Sequence, residues 1–282
     1  MAFKIAFCAG HYLNTPGKRC HKSLDPNETR EWVLNDRVAD HFARAALEYE
    51  GVEILRTDDS TGENFVDIPE RTAAANNWEA DIYIDMHHNA GINGGYGGGV
   101  CAFSYPGSAK GKEYRDAIYN AVIAAGGLKG NRAQPLQEKK FDSLRYSHMP
   151  AVLMEYGFMD SKTDAPVILT DEYSKLVAYA TIEGIAKVAG LIKKKPEPVQ
   201  PEQTTKGDYT MEMRNLKKGC KGEDVRALQI LLSGRGYSCG DSGADGIFGD
   251  DTHSAVCRYQ KAKSLEVDGI AGSETMGSLL GV

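Results

Sequence analysis

Short apolar runs, rich in β-branched and aromatic residues, alternate over residues 1–192 with longer segments whose apolar residues recur every three or four positions. Runs of the first kind predict buried strands, and segments of the second kind predict helices. This alternation is typical of an α/β domain, in which a twisted, mostly parallel sheet carries helices on both faces. The predicted strands are residues 3–8, 52–56, 81–86, 98–103 and 151–156, and the predicted helices are residues 31–50, 68–78, 109–125 and 172–192.

The pattern breaks after residue 192. The segment KKKPEPVQPEQTTKGD is rich in Pro, Gln, Thr and charge, and it has few apolar side chains with which to offset the entropy of ordering. We therefore predict a linker over residues 193–213, between a first domain of residues 1–192 and a second domain of residues 214–282.

The second domain contains an internal repeat. The sequence DGIFGDDT at 245–252 recurs as DGIAGSET at 268–275, and in each copy a Gly-containing turn leads into Asp, Ser or Thr residues suited to capping the N-terminus of a helix. Apolar periodicity predicts a small three-helix bundle, with helices at 222–235, 251–263 and 273–280.

Composition limits the classes of function. A chain of 282 residues with 41% hydrophobic content can support two cores, and a net charge of -6 argues against nucleic-acid binding, which needs a concentrated positive surface.

No apolar run approaches the roughly 18 residues of a membrane span, and the N-terminal MAFKIAFCAG is predicted to be a strand and not a signal peptide. We therefore expect synthesis in the cytoplasm, no membrane insertion and reduced cysteines. The sequence does not indicate an oligomeric state.

Four polar residues fall where ligands collect in such a fold, near the carboxyl ends of the strands. His11 follows the first strand and His87 ends the third. Glu155 lies at the end of the last strand, and Glu31 opens the helix that returns from the same edge. Two histidines and a glutamate are a standard ligand set of a hydrolytic zinc, which leaves a fourth position for water. A carboxylate inside VLMEYGF is costly to bury without a partner or a raised pKa, so a functional role is favoured for Glu155.

The spacing alone leaves alternatives for two of these positions. Glu28 is a competing acid three residues before Glu31. Strand alternation places His88 on the opposite face from His87, but both faces of a sheet covered by helices are buried, so alternation does not decide between them. A rival structural zinc site has ligands of suitable type but irregular spacing, and would consist of Cys8, His11, Cys20 and His21.

The segments GHYLNTPGK, EWVLN, IDMHHNA and MPAVLMEYGF, in this order, resemble the zinc-dependent N-acetylmuramoyl-L-alanine amidases of the amidase-3 type, which include many phage endolysins. The resemblance covers nearly all of residues 1–192. It implies hydrolysis of the amide bond between N-acetylmuramic acid and L-alanine in bacterial peptidoglycan. It also implies a catalytic carboxylate at Glu155 and a bound Zn2+ with three ligands, His11, Glu31 and His87.

The family pattern also chooses between the alternatives. A metal-binding Glu followed four residues later by Asn corresponds to Glu31 and Asn35, and a metal-binding His before x-Asn-Ala corresponds to His87. The chain departs from the family at residues 12–14, Tyr-Leu-Asn, where a short Gly-Gly segment is usual.

The second domain has a resemblance of its own. LKKGCKGEDVRALQILLSGRGY and the repeat that follows it resemble the type 1 peptidoglycan-binding module, a three-helix unit. The resemblance implies that this domain anchors the enzyme to the cell wall, so that bacterial peptidoglycan is the expected partner of both domains. We expect a phage or prophage endolysin that reaches the wall after release by lysis or a holin. The alternatives are a host sporulation or mother-cell lysis amidase, and a zinc peptidase that cuts the stem peptide.

Overall fold

The structure of the protein is a computed structural model whose described residues form two units. Residues 2–194 form the first unit, and residues 215–280, apart from 241 and 264, form the second. The linker predicted over residues 193–213 lies outside the described residues except for its first two positions. None of the described helices is long and apolar enough to cross a membrane.

Six described strands form the sheet of the first unit: β1 (Phe3–Ala9), β2 (Val52–Arg56), β3 (Ile82–Asn89), β4 (Cys101–Ser104), β5 (Leu136–Glu138) and β6 (Ala151–Phe158). Their order across the sheet is β2-β1-β3-β6-β4-β5. The strands β2, β1, β3 and β6 run parallel, whereas β4 runs antiparallel to β6 and β5 runs parallel to β4. The mostly parallel sheet predicted from the sequence is confirmed, and the short edge strand β5 is an addition to it.

Helices cover both faces of this sheet, as predicted. They are α1 (Glu31–Ala46), α2 (Ile68–Asn77), α3 (Ala109–Ala124), α4 (Asp142–Tyr146), α5 (Ala165–Ile168) and α6 (Asp171–Ala189). One core contains Ile82, Ile84 and Met86 of β3 together with apolar residues of α1, α3 and α6. The other core contains Tyr83 of β3 with apolar residues of α2 and α4. Alternate residues of β3 therefore face opposite layers of helices.

The first two residues of the predicted linker are held by the first unit. Lys193 forms a β-bridge with Tyr49, and its Nζ atom lies 2.9 Å from Oε2 of Glu48. The backbone N–H of Lys194 donates to the Glu48 carbonyl over 2.7 Å. A fragment designed to keep the fold of this unit should therefore extend through Lys194.

The described residues of the second unit form three helices, α7 (Glu223–Gly234), α8 (Asp250–Ala262) and α9 (Ser273–Leu280), which confirms the predicted helical module. Its internal repeat builds the same hydrogen-bond network twice. Gln229 and Gln260 occupy equivalent positions, and each buried amide donates through Nε2 and accepts through Oε1 from its own copy of the repeat. The partners are Asp245, Gly246, Ile247 and Thr252 for Gln229, and Asp268, Gly269, Ile270 and Thr275 for Gln260.

The capping role predicted for the first copy of the repeat is wrong. Gly249 occupies the N-cap position of α8, and no side chain caps this helix. The hydroxyl of Thr252 lies inside the unit, 3.0 Å from Nε2 of Gln229. The repeated threonine therefore hydrogen-bonds to a buried glutamine of the preceding helix. A capping pattern, which involves only neighbouring residues, cannot predict this contact.

We expect the core of the first unit to be sensitive to truncation at Ile84, which is 0% exposed. The Ile84→Ala variant should lower the free energy of unfolding by about 2–5 kcal/mol, because it removes buried apolar groups and leaves a cavity. Trp32 and Trp78, the two tryptophans of the chain, both belong to this unit, so their fluorescence during urea denaturation reports on it. The control is Ile192→Ala, at a position 65% exposed, with a change within about 0.5 kcal/mol. Equal effects of the two substitutions would contradict the assigned core.

Candidate metal centre

The carboxyl ends of β1, β3 and β6 lie side by side, because these strands are parallel neighbours in the sheet. His11 follows Gly10 at the end of β1. His87 and Glu155 stand opposite each other in the register of β3 and β6. The topology therefore brings three of the four predicted site residues to one edge of the sheet.

Glu31 joins this edge from the first turn of α1 and links the two histidines. Its Oε1 atom lies 3.3 Å from Nε2 of His11 and 2.9 Å from Nδ1 of His87. The potential ligand atoms of the three residues lie within 4.8 Å of one another, and Glu31 is only 1% exposed. Within the described part of the chain, no other group of three or more His, Cys, Asp or Glu side chains is arranged to hold a metal ion.

The backbone at His11 adopts a conformation that is uncommon outside glycine. Its φ of 69° lies in the left-handed region. Arg71, a buried residue of α2, holds this turn by donating from its guanidinium to the carbonyls of Ala9 and His11, over 2.8 and 2.6 Å. Sequence reasoning missed Arg71, because nothing near it in the chain marks its partners at the end of β1.

Gly10 allows the His87 ring to lie against the end of β1. A Cβ atom at position 10 would stand 2.0 Å from Cε1 of His87, so a larger residue would displace the ring. The rings of His11 and His87 meet edge to face, with centroids 4.8 Å apart. The two imidazoles are therefore packed against each other as well as linked through Glu31.

The segment between β1 and α1 determines which glutamate reaches the histidines. Arg19 pairs with Arg30 in a β-bridge, and the N–H of Glu31 donates to the Lys18 carbonyl over 3.0 Å. Glu28 belongs to the excursion between these points, and its Oε1 atom lies 3.5 Å from Nη1 of Arg19. The structure thus brings Glu31, and not Glu28, to the two histidines.

His88 faces away from this cluster, in line with the predicted strand alternation. It is 2% exposed, and its Nδ1 atom lies 2.8 Å from Oδ1 of Asn35. The side-chain amide of Asn35 also donates to the Gly10 carbonyl over 3.0 Å. Asn35, which the family pattern pairs with Glu31, therefore ties α1 to the ends of both β1 and β3.

The rival site of two cysteines and two histidines is not assembled among the described residues. The Cys8 thiol donates to Oδ1 of Asp85 over 3.1 Å inside the unit. His21 is exposed, and its Nδ1 atom lies 2.7 Å from the hydroxyl of Ser23. Of the four residues of that rival site, only His11 belongs to the cluster.

The pKa values of the two site carboxyls are shifted in opposite directions, although burial raises both. Burial raises the pKa of Glu31, but hydrogen bonds from His11 and His87 and the charges of both imidazoles outweigh it and hold that pKa well below its usual value. Burial raises the pKa of Glu155 to about 8, a rise that the charge of His87 opposes and the charge of Glu31 reinforces. One carboxyl of the site therefore stays ionised, while the other exchanges its proton near neutral pH.

Two carboxylate oxygens of the site are buried without a hydrogen bond from the described residues. They are Oε2 of Glu31 and Oε2 of Glu155. Lys18 is the cation beside the first of them, with its Nζ atom 3.5 Å away, and the sequence analysis did not predict this contact. Buried polar atoms almost always have partners, so these oxygens mark a place where a cation or a polar ligand fits.

The donor set fits a zinc ion, and two of its three ligand separations are near those of a zinc site. Zinc bonds of about 2.1 Å in a tetrahedral arrangement place ligand atoms about 3.4 Å apart. The separations of 3.3 Å and 2.9 Å between Glu31 and the two imidazoles are close to this value. A cation here would also offset the cost of burying the Glu31 charge.

The glycine-rich loop after β3 is anchored to the segment that follows β6. Oδ2 of Asp160 accepts from the N–H groups of Gly91 and Asn93, over 2.8 and 2.7 Å. Oδ2 of Asp164 accepts from the N–H of Gly99 over 2.7 Å. The loop after β3 thus has a defined shape, which its glycine content alone does not predict.

The carboxyl edge of this α/β sheet carries a His–Glu–His cluster that could hold a metal ion, together with a carboxylate whose buried oxygen has no hydrogen-bond partner among the described residues. The sequence model of the amidase-3 family, described as N-acetylmuramoyl-L-alanine amidase, matches residues 5–187. Because this match covers more than half of the chain, the chain belongs to that family. Residues 221–279 match the type 1 peptidoglycan-binding domain.

Individual relatives differ in their biological setting. The sporulation-specific N-acetylmuramoyl-L-alanine amidase of Bacillus subtilis is 34% identical over 179 residues, which are 61% of this chain and 67% of that protein. The endolysin of Bacillus phage SPP1 is 33% identical over 136 residues, which are 46% of this chain and 48% of the endolysin. The crystal structure of an N-acetylmuramoyl-L-alanine amidase from Clostridium difficile 630 shares the fold, with a TM-score of 0.60 at 23% identity, over 67% of this chain and 97% of the other.

We expect Gly10→Ala to lose metal binding, because the new methyl group must displace the His87 ring. Zinc content after dialysis against zinc and then buffer should fall at least about tenfold, with little change in far-UV circular dichroism. The matched control is Gly234→Ala in the second unit, where an added Cβ meets nothing within 4 Å. A Gly10→Ala protein with the zinc content of the unsubstituted chain would show that this contact does not control the cluster.

Proposed function

We propose that the protein hydrolyses the amide bond between N-acetylmuramic acid and L-alanine in bacterial peptidoglycan. In this proposal His11, Glu31 and His87 hold a zinc ion and Glu155 is the catalytic carboxylate. The observation that carries the proposal is the position of Glu155, opposite His87 in the sheet and with a buried oxygen that has no partner among the described residues. Membership of the amidase-3 family supports the bond that is cut.

The two carboxyls of the site have different roles in this proposal: Glu31 binds the cation, and Glu155 transfers the proton. Zinc, when bound, supplies a Lewis acid that polarises the amide carbonyl and lowers the pKa of water towards ~7. Glu155 accepts the proton of the attacking water at Oε2 and returns it to the nitrogen of the leaving amine. Burial raises the pKa of Glu155 to about 8 in the metal-free chain, and the charge of a bound cation would lower it towards neutral pH, where the group can both take and give a proton. Glu31, whose pKa is low, stays ionised and keeps its charge for the cation.

The roles of ligand and catalytic carboxylate can be separated by substitution. Glu155→Gln keeps the shape of the side chain but removes the proton acceptor, so we expect about one zinc per chain and a fall in cell-wall hydrolysis by a factor of about 10²–10⁴. His11→Ala removes a ligand and should lose both zinc and hydrolysis. Elemental analysis and the clearing of purified cell-wall suspensions measure the two properties independently. Full hydrolysis by Glu155→Gln would refute the proposed mechanism.

Product analysis distinguishes the proposed amidase from a zinc peptidase. Hydrolysis of the proposed bond exposes the amino group of L-alanine and leaves the lactyl group of the sugar bare. A peptidase acting within the stem peptide would expose other amino groups and keep L-alanine attached to the sugar. Identification of the amino termini released from purified peptidoglycan therefore tests which bond is cut.

We also propose that the protein is a phage or prophage endolysin that reaches the wall once lysis or a holin has opened the membrane. Similarity to the endolysin of phage SPP1 supports this setting. Similarity to the sporulation-specific amidase of Bacillus subtilis favours the second candidate, a host amidase of sporulation or mother-cell lysis. Both settings use the same reaction.

The proposed role of residues 214–282 is to anchor the enzyme to peptidoglycan, which the match to the peptidoglycan-binding domain supports. A tethered module turns engagement of the catalytic domain into an intramolecular event and raises its effective concentration at the wall.

A shortened chain tests this anchoring role. The fragment of residues 1–194 keeps the contacts of Lys193 and Lys194 with Glu48, so we expect it to fold. Its affinity for insoluble cell walls, measured by sedimentation, should fall by a factor of about 10² or more. Its rate on a soluble muropeptide should change by less than about twofold, because that substrate cannot engage both domains at once. Equal losses on the two substrates would argue against an anchoring role.

A further inference from the structure

We propose that Asp85 is a positioning residue that fixes the His87 ring for metal binding. This inference rests on the proposed zinc site and assigns a function to a residue outside the ligand set. Oδ1 of Asp85 lies 3.0 Å from Nε2 of His87, while Nδ1 of the same ring lies 2.9 Å from Oε1 of Glu31. The two nitrogens of one imidazole are thus assigned to two different carboxylates.

The position of Asp85 follows from the strand that carries it. Asp85 and His87 are two residues apart in β3, and residues with that spacing project from the same face of a strand. Asp85 is 4% exposed, so its carboxylate faces protein groups instead of solvent. Aspartate at this position therefore places a hydrogen-bond acceptor directly beside the ring.

Neighbouring elements hold the Asp85 carboxylate in place. Cys8 of β1 is its partner in the sheet register, and the Cys8 thiol donates to Oδ1 of Asp85 over 3.1 Å. The Tyr83 hydroxyl donates in turn to the Cys8 sulfur over 3.1 Å. The Ser143 side chain, from α4, also hydrogen-bonds to Asp85. With partners from two neighbouring elements, the carboxylate has a fixed orientation towards His87.

The His87 ring has little freedom to turn away from this arrangement. The ring atoms lie so close to Gly10 that no Cβ could be accommodated at that position. The ring of His11 also packs edge to face with the His87 ring, at a centroid distance of 4.8 Å. A half-turn of the ring would exchange nitrogen for carbon at both hydrogen-bonding positions. Packing and hydrogen bonding therefore select the same orientation.

This orientation has a direct chemical consequence. Neutral imidazole carries one proton, and a carboxylate at Nε2 keeps that proton there. When a metal ion replaces the proton that Nδ1 donates to Glu31, the lone pair of Nδ1 is directed at that ion, while Nε2 keeps its proton on Asp85. A carboxylate behind a ligating histidine also raises the basicity of the ligand, and loss of such a partner costs about 10–100-fold in metal affinity.

Asp85 is not itself a further ligand of the metal in this proposal. It contacts the ring nitrogen opposite the one that faces Glu31, so it stands behind the imidazole as seen from the cluster. Removal of Asp85 should therefore weaken zinc binding without abolishing it, whereas removal of His87 should abolish it.

The test is zinc affinity of the full chain, measured by competition with a chromophoric chelator. We expect Asp85→Ala to raise the zinc dissociation constant about 10–100-fold. Asp85→Asn keeps an acceptor oxygen and the shape of the side chain, so it should fold as the unsubstituted chain does and give a smaller increase. The matched control is Asp164→Asn, a buried carboxylate that accepts hydrogen bonds from Gly99 and Phe158, with a change below about twofold.

A second readout reports on the ring itself. In ¹⁵N-labelled, zinc-loaded protein the Nε2–H proton of His87 should exchange slowly with water, and in Asp85→Asn it should exchange at least about tenfold faster. Unchanged zinc affinity and unchanged exchange in both Asp85 variants would overturn the positioning role while leaving the zinc site intact. Failure of the unsubstituted chain to bind zinc would instead overturn the proposed function together with this inference.

Discussion

A buried carboxylate constrains the architecture of the first unit. Glu31 is 1% exposed, and an ionised group at that depth costs several kcal/mol unless partners compensate it. Its Oε1 atom takes both imidazoles, of His11 and His87, as partners. To satisfy this arrangement, α1 has to begin at the carboxyl edge of the sheet, and the ends of β1 and β3 have to be neighbours. The strand order and the return of the chain from β1 to α1 meet both conditions.

The same requirement accounts for the irregular backbone around the site. His11 sits in the left-handed region, where a residue other than glycine is strained by roughly 1–3 kcal/mol. The guanidinium of Arg71 offsets this strain with hydrogen bonds to two carbonyls of the turn. Gly10 removes the side chain that would collide with His87. Each feature is unfavourable or unusual in isolation, and together they bring the two imidazoles to one carboxylate.

The sequence predicts the parts of this structure that have a regular period. In β3 the alternation of Ile84 and Met86 with their neighbours indicates a buried strand, whereas the three residues of β5 are too few to show a period. The choice of Glu31 over Glu28 needs the family resemblance, because the sequence does not reveal the contacts that separate the two residues. The N–H of Glu31 bonds to the Lys18 carbonyl, across the segment that contains Glu28. Asp85 had one local signal, its two-residue spacing from His87, but its partners come from other strands and helices. Contacts between residues far apart in the chain cannot be predicted from the spacing of neighbouring residues.

The two units bury different kinds of polar group, and this difference bears on how each depends on metal. The first unit buries carboxylates beside imidazoles, a set whose charge balance changes when a proton or a cation binds. The second unit buries the neutral amides of Gln229 and Gln260, each hydrogen-bonded at both its nitrogen and its oxygen within its own copy of the repeat. The second unit therefore needs no ion to compensate these groups, whereas the proposed catalytic centre does. If the proposed function holds, removal of metal would therefore stop hydrolysis of the wall and leave attachment to the wall intact, because among the described residues only the proposed centre combines a buried carboxylate with a place for a cation.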